Sequence, residues 1–108
     1  MRRTDRELLI DALSHLEAIH RHLGRGDMGD DTVADAVSLR LAAAIDAASR
    51  VTAERREAIF GDDWALAWAT RNRIVHGYAF VDRHIIEATV LHDLPGIENA
   101  IRLQIADV

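Results

Sequence analysis

The sequence contains no cysteine and no lysine, a single proline at Pro95, and only 5% aromatic residues. Without cysteine there is no disulfide framework, no thiolate nucleophile and no cysteine zinc site, which suits a reducing cytoplasm. No apolar run approaches the length of a membrane span, and the N-terminal MRRTDRELLI lacks the uninterrupted apolar core of a signal peptide. A soluble, cytoplasmic protein with no membrane association is therefore expected. The net charge of -5 argues against broad, non-specific adhesion to nucleic acid, which relies on many cations facing phosphates. All the basic residues are arginine. That usage suits bidentate recognition of phosphate or carboxylate, although genomic base composition explains it better.

What is present is a chain of 108 residues rich in Ala and Leu, without strand-like alternation, internal repeats or a long linker. It reads as one domain over residues 1–108, all-α, an up-and-down bundle of four to five helices. The first helix starts at a capping box, Thr4 with Glu7, carries Leu9, Leu13, Leu16, His20 and Leu23 on one stripe, and ends at Gly24. The second is expected from about Thr32 to Val51, capped by the aspartates before it. Its stripe Val37, Leu41, Ala44, Ala48 and Val51 is small enough for close approach of a neighbour. TAERREAIFGDD reads as a connection, with Asp63 capping a helix from Trp64 to about His76. After the irregular YAFVD, Asp82 is expected to cap a helix ending near His92, and Asp93 with Pro95 to open a last helix reaching about Ala106.

One stretch departs from simple packing: RNRIVHGY, Arg71 to Tyr78. Trp64, Trp68, Arg71, Val75 and Tyr78 follow steps of four and three and so share one side of a helix, which Arg71 interrupts with a charge. A structural role is open to each residue. Arg71 can lie over Trp68 or pair with a carboxylate of a neighbouring helix, and Asn72 can bond His76 one turn on. Together, however, they assemble a fixed cation, an amide, a group titrating near neutrality and a phenol beside Gly77. That set suits phosphodiester chemistry, with histidine moving a proton and arginine stabilising charge on phosphoryl oxygens. At roughly 100° per residue, Arg71 and His76 differ by about 140° around an ideal helix. Either the helix deforms near Gly77, or a homodimer brings two copies together across a two-fold axis.

The arrangement of Arg71, four residues, His76, one residue and Tyr78 resembles the Arg-x4-His-x-Tyr signature of HEPN-domain ribonucleases, specifically the HepT-like toxins. Ala36 and Val37, Trp64 shortly before Arg71 and Asn72, Val81 and Asp82, and the DLP at Asp93 to Pro95 sit where that family has similar residues. The resemblance implies a helical bundle that dimerises with its motifs facing each other and acts as a metal-independent endoribonuclease of a toxin-antitoxin system, with no cofactor. His76 would then be general acid or base in attack by an RNA 2′-hydroxyl on the adjacent phosphate. Arg71 would stabilise the transition state and Asn72 orient one of the two, with Asp46 and Arg73 in support. It further implies a partner antitoxin, a minimal nucleotidyltransferase that silences the toxin by attaching AMP to Tyr78, whose bulk and charge would repel an RNA phosphate. Two departures stand out. The family often has Gly-Glu-Ala in the second helix where this chain has Ile45, Asp46 and Ala47, and the proline usual before the tryptophan is replaced by GDD. Asp46 can serve as a partner of Arg71 or pair with Arg50 one turn on, the latter being favoured.

Among the other histidines, His20, His22, His84 and His92 show neither HExxH nor another zinc spacing, so no metal site is expected. His20 reads as an interface or core-edge residue. Arg55 and Arg56 form a small basic pair that can guide RNA or face solvent. The competing functional class is a non-catalytic binding module, in which the same cluster holds a nucleotide or docks a nucleotidyltransferase. A structural dimer without further activity is the third.

Overall fold

The computed structural model describes residues 3–108, which form an all-α up-and-down bundle. Helix α1 spans Asp5–Leu23 and α2 Asp31–Ser49. Thr4 caps α1 by accepting the Glu7 N–H at 3.2 Å while its hydroxyl donates to the Glu7 carboxylate at 3.2 Å, and Gly24 follows its last turn. Asp30 caps α2, accepting from the N–H groups of Thr32 and Val33 at 2.8 and 3.3 Å. The two helices share the largest interface of the molecule. The expected stripe of α2 is the reason: Val37, Leu41, Ala44, Ala48 and Val51 are all buried, and the alanines let α1 approach closely. On α1, Leu9 and Leu16 are buried, Leu13 and Leu23 pack at the edge of the core, and His20 is exposed.

Three expectations are corrected. The stretch read as a connection contains a helix, α3, Ala53–Phe60. Its residues are strong helix formers, but only Ile59 and Phe60 are buried, so it shows no amphipathic period. The Thr52 N–H and hydroxyl bind the Asp5 carboxylate, which ties the start of α3 to the start of α1. Second, Asp63 caps nothing. It closes a 3-10 turn, Gly61–Asp63, entered through Gly61 at φ 54°, and this turn runs directly into α4, Trp64–Gly77.

Third, no break separates the last two helices. Asp82 does cap α5, Arg83–Ala88, through the His84 N–H at 2.8 Å. The chain then stays helical through a π turn, Thr89–Asp93, into α6, Leu94–Asp107, and Asp93 has helical dihedrals and no capping bond. Pro95 accounts for the widened turn, because it has no N–H to give to the Leu91 carbonyl and its ring crowds that oxygen. Leu94 and Ile101 on α6 and Ile86 on α5 complete the core.

His20, on α1, reaches across to α6, where its Nε2 lies 2.5 Å from Oε1 of Glu98. Glu98 is buried and is also met by Arg102 at 3.4 Å, so its charge is compensated. No helix among the described residues is long and apolar enough to cross a membrane. Ile19 on α1 is fully buried in the core. Ile19→Ala is expected to cost about 2 to 5 kcal/mol in urea unfolding, whereas Leu39→Ala, at a position 67% exposed, should stay within about 0.5 kcal/mol.

Candidate functional site

Helix α4 carries the whole Arg71 to His76 stretch, and it lies against the bundle mainly through α2. It packs less tightly than its sequence suggests. Ile74 is its only buried residue, while Val75, expected on the packed stripe, is 50% exposed. The stripe's aromatic half does hold. Phe60, Trp64 and Trp68 form a ladder with ring centroids 5.0 and 5.7 Å apart, and Arg56 covers Trp64 at 5.1 Å.

Arg71 is held on three sides. Its guanidinium carbon sits 4.7 Å from the Trp68 ring centroid, its Nη2 donates to Asp46 Oδ1 at 3.1 Å and its Nη1 to Asn72 Oδ1 at 2.9 Å. Both structural roles open to Arg71 are therefore realised together. Asp46 likewise does both things its position allowed, since its other oxygen accepts from Arg50 at 2.7 Å. Asn72 bonds Arg71 and not His76. The buried Nε of Arg71 has no partner among the described residues, where these contacts use only two of the five donors of a guanidinium.

His76 is exposed and makes no hydrogen bond among the described residues. Arg73 is also exposed and lines a hollow of about 380 Å³ with Gly77, Phe80, Asp82 and Ile85. A second hollow, of about 330 Å³, lies further toward the start of α4, shares Thr70 with the first, and is mostly apolar, lined by Leu41, Phe60, Ala67, Leu94 and Ile101 among others. Neither is lined by Arg71 or His76. Among the described residues no group of three or more carboxylates and imidazoles is placed to hold a metal ion.

Tyr78 lies in a 3-10 turn, Tyr78–Phe80, that follows Gly77. Its hydroxyl does not point toward Arg71. It donates to Oδ1 of Asp35 on α2, and Arg83 binds Asp31 one turn earlier on the same helix. Asp35 and Asp46 are eleven residues apart in the sequence, which is three turns and about 16 Å along one face of α2. The anchors of Arg71 and Tyr78 are thus well separated along α2. Asp35 is the partner of the motif that sequence reading overlooked. The signal was the spacing of Asp31, Asp35 and Asp46, which places all three within an arc of about 60°.

The HepT-like family model, described as Ribonuclease HepT-like, matches residues 9–103. The chain belongs to the HepT-like family. The match takes in α4 with its motif, and both Asp35 and Asp46. No curated protein and no solved structure matches the chain.

The Tyr78 phenol is raised above its ordinary 10.0, first because it is partly removed from water and second because Asp35 accepts its proton. Folding thus favours the neutral phenol, and the stability this contributes is full below about pH 10 and falls as pH rises through the folded pKa. Tyr78 is the sole tyrosine, so ultraviolet titration of phenolate reports it without labelling. The wild type is expected to ionise above 10.0, and Asp35→Asn to bring the midpoint down. An unchanged midpoint would contradict the bond.

Proposed function

We propose that this HepT-like chain is a metal-independent endoribonuclease, the toxin of a toxin-antitoxin pair, acting as a homodimer of single-domain subunits. The observation that carries this reading is the contrast within one motif of a ribonuclease family: Arg71 is pre-oriented by Asp46, Asn72 and Trp68, while His76 stands free in solvent. A guanidinium held in place with donors to spare suits a phosphate whose charge grows during reaction. A free imidazole suits proton transfer to or from an incoming substrate.

In the proposed reaction the RNA 2′-oxygen attacks the adjacent phosphorus and the bond to the 5′-oxygen breaks, leaving a cyclic phosphate and a free 5′-hydroxyl. His76 takes the 2′-hydroxyl proton or protonates the departing oxygen. Arg71 neutralises the equatorial phosphoryl oxygens, with Asn72 and Asp46 fixing its plane and Arg73 adding positive charge beside the strand. Because Arg71 and His76 project from different sides of α4, the working site combines groups from two subunits. The antitoxin is a minimal nucleotidyltransferase that attaches AMP to Tyr78, adding bulk and negative charge next to the RNA path. The second reading, a non-catalytic module that holds a nucleotide or docks the nucleotidyltransferase, is favoured by the separation of Arg71 from His76 within one chain.

Arg71→Ala and His76→Ala are each expected to slow RNA cleavage by about 10²-fold or more. Mixing the two inactive chains distinguishes the readings further. If Arg71 of one subunit works with His76 of the other, the mixed dimer regains one intact site of its two, and cleavage returns in part. No recovery on mixing means that each subunit holds its own site, and undiminished cleavage by His76→Ala removes the catalytic role.

A further inference from the structure

Tyr78 is singular in this chain, which has no other phenol, no thiol and no lysine amine. Its hydroxyl donates to Asp35 Oδ1 on α2. The neighbouring carboxylates are committed elsewhere. Asp31 is bound by Arg83, Asp46 by Arg50 and Arg71, and Asp82 by the His84 N–H at the start of α5. Asp35 has no ion pair among the described residues, and its only hydrogen bond there is the one from Tyr78. Ser38, buried on α2, and the Arg83 charge also act on the phenol and favour its ionised form, but a hydroxyl and a guanidinium accept no net proton near neutrality. Tyr78 is 37% exposed as a residue, so an electrophile can approach it from solvent while the hydroxyl hydrogen faces Asp35.

From this geometry we infer that Asp35 is the proton acceptor that makes Tyr78 a nucleophile toward phosphorus. The inference rests on the proposed modification of Tyr78. The phenolic oxygen forms a bond to the α-phosphorus of ATP, the bond from that phosphorus to the bridging oxygen of the β-phosphate breaks, pyrophosphate leaves, and the phenol proton passes to Asp35 Oδ1. A carboxylate accepting the proton of an attacking hydroxyl is the arrangement protein kinases use for the same kind of displacement. The toxin thereby supplies part of the machinery of its own silencing. The raised phenol agrees with the need for such help, since a neutral phenol is the weaker nucleophile.

The test uses the full chain and a small phosphorus electrophile, diisopropyl fluorophosphate, with adducts counted by intact mass and Tyr78→Phe run to subtract labelling elsewhere. In this reaction the oxygen–phosphorus bond forms, fluoride leaves and the proton again goes to Asp35. Asp35→Asn is expected to label about 10²-fold more slowly than wild type near pH 7. The gap should close as pH rises and hydroxide removes the phenol proton instead, and Asp35→Glu, which keeps a carboxylate, should recover most of the rate. Equal rates near pH 7, or a deficit of constant size at every pH, would overturn the assignment, because a merely positioning side chain gives no pH-dependent rescue. Co-expression with a neutralising nucleotidyltransferase separates this claim from the reading beneath it. Wild type left without AMP overturns the modification and the ATP step with it, whereas AMP on wild type and equally on Asp35→Asn overturns the role of Asp35 alone.

Discussion

The close approach of α1 to α2 is the constraint on which the rest of the molecule depends. Ala34, Val37, Leu41, Ala44 and Ala48 bury one broad side of α2, and this fixes the helix rotationally. A helix so fixed has one face left, and on it stand Asp31, Asp35 and Asp46. Each carboxylate holds a different part of the chain beyond α3: Asp46 holds Arg71 of α4, Asp35 the turn after α4, and Asp31 the first residue of α5. Arg71 and Tyr78 are therefore placed by α2, whereas His76 is placed only by the helix that bears it.

This arrangement explains why the motif residues behave so differently from one another. Arg71 reaches α2 and is immobilised, with an aromatic ring below it and an amide beside it. His76, five residues on, projects from another side and finds no partner among the described residues. Desolvating a cation is costly unless it is paired, and the pairing of Arg71 with Asp46 and its contact with Trp68 together offset that cost. An imidazole left in water needs no such compensation.

Much of this was legible in the sequence, and the limits are physical. The capped helices α1 and α2 and the stripe between them follow from period and capping residues, because burial there is extensive and the pattern repeats over several turns. Helix α3 was missed because its short length and few buried residues leave no period to read. The merging of α5 with α6 was missed because Asp93 and Pro95 resemble a cap and first turn, yet Pro is equally accommodated by a widened turn in a continuous rod. Asp46 was singled out by the family resemblance, standing where a glutamate is usual, while Asp35 was not, since its role depends on the path of the chain after Gly77 and no local pattern records that path. Val75 shows the reverse error, an apolar residue on an expected buried stripe that stands in solvent because α4 meets the bundle along one narrow line.

The π turn at Thr89–Asp93 has a consequence for how this fold tolerates change in length. Such a turn holds one more residue per hydrogen-bonded loop than the α-helix on either side. Excising that residue would let the rod run straight but would turn everything after it by about 100°. Leu94 and Ile101 would leave the core together, and Glu98 would swing away from His20. The register of α6 is thus stored in a single local irregularity, and the chain can gain or lose residues in the loop before α2 far more readily than in this apparently plain stretch of helix.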